Sequence, residues 1–146
     1  TRKASDQDKE FLWNLKVTTM GPHIDRVYGW QEAAQRRYFE DNFRPQAVQI
    51  IEQDGRDVGM YELQERQEDW GLARIAILPA FQNQGIGTAI LRRIIIATEP
   101  THKPLRLQVF KVNPAQRLYE RLGFVKTGET ETHIQMEFAT SPQPPR

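Results

Sequence analysis

Gln82-Asn83-Gln84-Gly85-Ile86-Gly87-Thr88 stands between a run that reads as a strand, roughly Gly71 to Leu78 with Pro79 closing it, and a run that reads as a helix, Thr88 to about Thr98. The helical reading comes from Ile90, Leu91, Ile94 and Ile95, which fall on one face. The triplet Ile94-Ile95-Ile96 is β-branched and would suit a strand. Glycines ahead of it, and an alternating strand behind it with Leu105, Leu107 and Val109, favour the helix. Strand, loop, helix and strand in this order make a parallel crossover unit. Inside the loop, two glycines let the backbone turn tightly and bring its N–H groups close to a ligand. The first turn of the following helix adds unpaired donors and the positive end of its dipole, so anionic oxygens are stabilised there without a lysine. A dinucleotide fingerprint would need glycine at Ile90, and a P-loop would need Gly-Lys-Ser/Thr; neither is present.

Downstream, Asn113-Pro114 opens another helix, with Asn as N-cap and Pro at the first helical position, and Gly123 ends it as a left-handed cap. Two strands follow, the second alternating Ile134, Met136 and Phe138. Upstream, Val48 and Ile50 precede Asp54-Gly55 while Val58 and Met60 follow it, which predicts a hairpin whose two turn residues have positive φ. Before that hairpin the pattern is helical from about Asp8, with Phe11, Leu12 and Leu15 at helix spacing. Gly21-Pro22 is expected to break this run, and a second helix is expected over Trp30 to Asp41. The chain thus reads as one α/β domain over 1–140, with a flexible Pro-rich tail at 141–146.

Composition narrows the chemistry. The 146 residues suit one core, and 38% hydrophobic with 27% charged side chains is a globular balance. Twenty basic and 19 acidic residues leave a net charge of +1, no footprint for a nucleic-acid partner. No apolar run approaches the ~20 residues that span a bilayer, so no membrane association is expected. With no secretory signal read at the start, the expected location is the cytoplasm. Cysteine is absent, which excludes disulfides, thiolate metal sites and a cysteine acyl-enzyme. The two serines, Ser5 and Ser141, lie near the termini, and His23, His102 and His133 lack metal-ligand spacing. The chemistry is therefore expected to proceed without a covalent Ser or Cys intermediate and without a metal.

The loop and the segment Asn113-Pro114-Ala115 through Leu118-Tyr119-Glu120-Arg121-Leu122-Gly123-Phe124 together resemble the GCN5-related N-acetyltransferase (GNAT) family. The first matches its Gln/Arg-x-x-Gly-x-Gly/Ala pyrophosphate loop, and the second its Asn-x-x-Ala-x-x-Leu-Tyr-x-x-x-Gly-Phe motif, with one residue rather than two between Asn113 and Ala115. The resemblance covers roughly Ile75 to Phe124. It implies a GNAT-like fold: two N-terminal helices, a central mixed β-sheet with a splayed parallel strand pair, and two further helices. It also implies acetyl-CoA as acyl donor. Main-chain groups of Ile75, Ala76 and Ile77 would pair with pantetheine, an N–H near Ile77 polarising the thioester carbonyl. Asn83, Gln84, Gly85, Ile86, Gly87 and Thr88 would hold the pyrophosphate, and Asn113 would touch the cofactor arm as well as cap its helix. The resemblance would allow Arg92 and Arg93 to stand near the 3′-phosphate, but solvent exposure is the favoured reading.

Tyr119 matches the family tyrosine that protonates the leaving sulfur, a step that needs little tuning because a thiol has pKa ~8.5 and a phenol ~10. The base position departs from the family: Gln108 stands where some relatives carry a glutamate, and Leu72, Ala73 and Arg74 stand where others do. Glu62 is the substitute candidate, directly or through water, ahead of Glu65 and His133. Trp30, with Tyr28 and Glu32 beside it, and His133 from the opposite side are expected at the acceptor pocket. The expected activity is direct transfer of acetyl to a primary amine, small-molecule or peptide, by a monomer or homodimer. The alternative is a non-catalytic acyl-CoA-binding module.

Overall fold

The computed structural model describes residues 1–139; the expected tail at 141–146 lies outside the described residues. Its strands are β1 (Arg2–Lys3), β2 (Val48–Gln53), β3 (Arg56–Glu65), β4 (Trp70–Ile77), β5 (Leu105–Phe110), β6 (Val125–Glu129) and β7 (His133–Phe138). Its helices are α1 (Lys9–Tyr28), α2 (Glu32–Asp41), α3 (Ile86–Thr98) and α4 (Gln116–Leu122). The strands neighbour one another in the order β1-β2-β3-β4-β5-β7-β6. β4 and β5 run parallel, while β1–β2, β2–β3, β5–β7 and β6–β7 are antiparallel. This is the expected mixed sheet with two helices ahead of it and two more within its second half. No helix among the described residues is long and apolar enough to cross a membrane. The chain packs as two compact units: Thr1–Glu62 with Arg74–Gln84, and Leu63–Ala73 with Gly85 onward.

The first unit is built on α1 and α2. Leu12, Trp13 and Leu15 of α1 and Phe39 of α2 are buried with Val48, Ile50 and Met60 of the sheet. Trp13 meets Phe39 at 5.5 Å between ring centroids, and Phe39 meets Phe43 at the same spacing. The expected break at Gly21-Pro22 does not occur: α1 runs through Pro22 to Tyr28. The local reason is that Gly21 offers no Cβ for the proline ring to strike, which removes much of the penalty on the residue before proline. Hydroxyls of Thr18 and Thr19 also donate to the carbonyls of Asn14 and Leu15 at 2.8 and 2.7 Å. Burial of Leu15 on one side and Ile24 on the other secures both halves of the helix. The chain turns instead at Gly29, with φ 80°. The hairpin forms as expected, Asp54 and Gly55 taking φ 52° and 78° between the paired Gln53 and Arg56.

In the second unit Leu105, Leu107 and Val109 of β5 are buried, as are Ile90, Leu91 and Ile94 of α3 and Met136 of β7. The isoleucine triplet is helical, as the flanking signals required. β7 lies between β5 and β6, in register from Leu105 opposite Phe138 to Phe110 opposite His133. The parallel ladder between β4 and β5 joins Trp70 to Leu105 and Gly71 to Arg106, and goes no further. Gly123 caps α4 with φ 106°, and a Cβ there would sit 2.9 Å from the Phe138 ring. Gly123→Ala is therefore expected to cost about 1–3 kcal/mol of stability. Urea unfolding reads this directly, and an unshifted midpoint would show that the cap carries no strain.

Candidate active site

In the first unit the chain leaves β4 through a 3-10 turn at Pro79–Phe81, and side chains then tie the loop down. The Gln82 amide donates to the Ile77 carbonyl at 2.8 Å, and the Gln84 amide to the Ala80 carbonyl at 3.1 Å. Asn83 adopts φ 62°, a left-handed conformation that asparagine tolerates better than most residues. Both glutamine side chains thus brace the loop backbone.

Gly85 begins the second unit and caps α3 at φ 83°, ψ 3°. The first helical bond of α3 runs from the Ala89 N–H to the Gly85 carbonyl at 3.0 Å. The N–H groups of Ile86, Gly87 and Thr88 precede it in the first turn and are the donors a helix start leaves over. No acidic side chain lies in that turn to neutralise it. A Cβ on Gly85 would meet nothing within 4 Å, so the space before these donors is open. Open space, converging donors and the positive dipole end fit a pyrophosphate.

α4 packs on this same turn. A Cβ on Gly87 would lie 3.8 Å from Leu118 Cδ2, and Leu118 immediately precedes Tyr119. Tyr119 is buried, its ring edge-on to Phe124 at 5.7 Å. Burial pushes its phenol up to about 12. The sequence expectation of an acid needing little tuning is thus altered: the pocket makes Tyr119 a weaker acid than a free phenol. α4 begins later than expected, with Ala115 as its N-cap, so Pro114 is not its first residue. Asn113 instead closes a turn ahead of the helix, its Oδ1 accepting from the Ala115 N–H at 2.9 Å while its own N–H donates to the Phe110 carbonyl.

Gln108 faces away from the buried side of β5 and stands opposite Gln135 of β7. With Gln64, Ala73, Thr127 and Met136 it lines a cavity of about 580 Å³ in the second unit. One wall is a chain of charges. Arg66 and Arg106 both bind the buried Asp69, and Arg106 also reaches Glu137 at 3.2 Å. The Arg66 guanidinium, aided by Arg106, holds the Asp69 carboxyl below the usual carboxylate range. Beside Glu137, the lining offers the amides of Gln64, Gln108 and Gln135. Of these residues the sequence pointed to Ala73 and Gln108 at the positions of the missing base, and to Met136 in the alternation of β7. Gln135 and Glu137 meet β5 only through the register that sets them opposite Gln108 and Arg106, which nothing local in the sequence announces.

Glu62, on β3 in the first unit, accepts from Arg74 of β4 at 2.7 Å, and its side chain is 12% exposed. Glu65 is paired with Lys103 at 2.9 Å. His133 stacks on Phe110 at 4.3 Å, with Nδ1 2.8 Å from the Thr132 hydroxyl. Trp30 packs 6.1 Å from Trp13 at the edge of the first unit's core, while Tyr28 is exposed. Arg92 and Arg93 are exposed, as expected. The second unit therefore brings together the anion-binding turn and the helix of Tyr119. Glu62, Trp30 and Ile75 to Ile77 belong to the first unit.

Residues 44–126, more than half of the chain, match the family model described as "Acetyltransferase (GNAT) domain". No curated protein matches the sequence. Among solved structures, the chain is similar to PaiA N-acetyltransferase from Thermoplasma acidophilum in complex with coenzyme A. That likeness has 17% identity and a TM-score of 0.76, covering 94% of this chain and 96% of that one. It is also similar to the ribosomal-protein-S18-alanine N-acetyltransferase from Escherichia coli, at 22% identity and TM-score 0.70 over 97% and 94% of the two chains. A GNAT family acetyltransferase from Elizabethkingia anophelis with acetyl-CoA bound has 16% identity and TM-score 0.61 over 87% and 89%. At these identities the structural likeness speaks to the fold.

Proposed function

The chain belongs to the GNAT acetyltransferase family, and we propose that it transfers the acetyl group of acetyl-CoA directly to a primary amine in a ternary complex. The observation that carries this reading is the packing of Leu118 on the first turn of α3, which sets the Tyr119 helix against an open, donor-rich anion site. In this reading the N–H groups of Gly85 to Thr88 bind the pyrophosphate, with Asn83 and Gln84 shaping the loop before them. Main-chain groups of Ile75, Ala76 and Ile77 hold the pantetheine arm, and Asn113 fixes the turn that leads into α4. Acetyl-CoA supplies the activated acyl carbon. The amine nitrogen forms the new C–N bond, the C–S bond breaks, and the amine proton passes to Glu62, directly or through water.

Tyr119 then meets the leaving sulfur as a hydrogen-bond donor. Full transfer from a phenol at about 12 to a thiolate whose acid is near 8.5 would be about 5 kcal/mol uphill. Donation without transfer still stabilises the charge that grows on sulfur. His133 and Trp30 are assigned to the acceptor side.

The reading is tested by offering a panel of amines and peptides with acetyl-CoA and measuring thiol release. Amine-dependent release with a matching acetylated product is the expected result. Tight acetyl-CoA binding without turnover on any amine would instead identify a non-catalytic binding module.

A further inference from the structure

In the first unit Lys9, Arg2 and Arg36 each have a carboxylate partner: Glu40, Asp8 and Glu10 respectively. Lys16 departs from this pattern. It is half-buried on α1, its Nζ lies 4.9 Å over the ring of Tyr38 on α2, and among the described residues no carboxylate pairs with it. The charge it feels is another cation, Arg74 of β4. Burial first, and the repulsion of Arg74 second, hold its ammonium below the usual lysine range. Arg74 has Glu62 as its partner, so Lys16, Arg74 and Glu62 together leave one positive charge uncompensated in a partly desolvated place. A cation kept there without a counter-charge costs free energy that a bound anion would recover. Tyr38 holds the ammonium in position without neutralising it.

We infer that Lys16 and Arg74 receive a carboxylate of the acceptor while Glu62 engages its amino group, so that the acceptor is amino-acid-like: an amine that also carries a carboxylate. This rests on the acetyl transfer proposed above. The placement suits it, because Arg74 directly precedes Ile75 to Ile77, and a strand rise of ~3.3 Å per residue keeps Arg74 within ~10 Å of the proposed thioester end. Lysine supplies a point charge and arginine a planar fork, a combination that distinguishes a carboxylate from a neutral carboxamide.

The test compares each of a set of amino acids with its own carboxamide as acceptor, by kcat/KM for thiol release. The native protein is expected to favour the acid about tenfold or more, and Lys16→Met and Arg74→Met to bring that ratio towards one. Lys16→Arg, which keeps the charge, should retain the preference. If amines react but acid and amide react alike, or if Lys16→Met keeps the full preference, the carboxylate assignment alone is overturned. If no amine yields thiol at all, the assignment falls together with the transfer reading.

Discussion

Tyr119→Phe is expected to lower kcat for acetyl transfer by about 10²–10³-fold while acetyl-CoA still binds, the loss typical of removing one preorganised donor from a developing charge. The substitution removes a single oxygen. The ring that packs on Phe124 remains, so α4 should hold its place on the first turn of α3. A phenol that burial has pushed to about 12 stays protonated across the working range. The native rate should therefore show no alkaline fall from this group below about pH 10. Single-turnover measurement of thiol release, with calorimetry for the cofactor, separates the step from binding. A variant with native kcat would remove Tyr119 from the reaction and leave it as packing.

Gly85→Glu is expected to weaken acetyl-CoA binding by at least about 100-fold. Two effects act together. Any side chain at φ 83° is strained by about 1 kcal/mol. The larger effect is charge: a carboxylate would stand before the N–H groups of Ile86, Gly87 and Thr88, in the space a pyrophosphate needs. Because a Cβ at this position touches nothing within 4 Å, the folded chain has room for the substitution. Gly85→Asn supplies the control, since asparagine accepts the left-handed backbone and brings no charge. Calorimetry should find Asn much closer to the native protein than Glu. Equal affinities for all three would remove the loop from the cofactor site.

Much of this architecture was readable because the decisive signals are local. The left-handed cap at Gly123, the Asp54-Gly55 turn and the bond from Ala115 N–H to Asn113 each depend on a few adjacent residues. Where the reading of local signals failed, another local effect prevailed: Gly21 relieves the proline that it was expected to join in breaking α1. What the sequence withheld depends on residues far apart. Arg66 and Asp69 are near neighbours ahead of β4, but Arg106 and Glu137 join them in one charged wall only when β5 and β7 are assembled. Lys16 reads as one more surface lysine until α2 brings Tyr38 over it and β4 brings Arg74 near. Tyr119 was identified by motif, but its weakened acidity follows from burial, which no single residue announces.

The two-rung ladder between β4 and β5 bears on how this protein persists as well as on how it acts. On the proposed reading, main-chain groups of Ile75 to Ile77, beyond those two rungs, pair with the pantetheine arm, which then adds what an ordinary sheet obtains from its own next strand. By mass action such a ligand stabilises the native population, by about 2.7 kcal/mol at a hundredfold excess over its Kd. In that reading, resistance to heat and proteolysis is expected to rise with the concentration of the acyl donor, which thermal unfolding with and without acetyl-CoA checks.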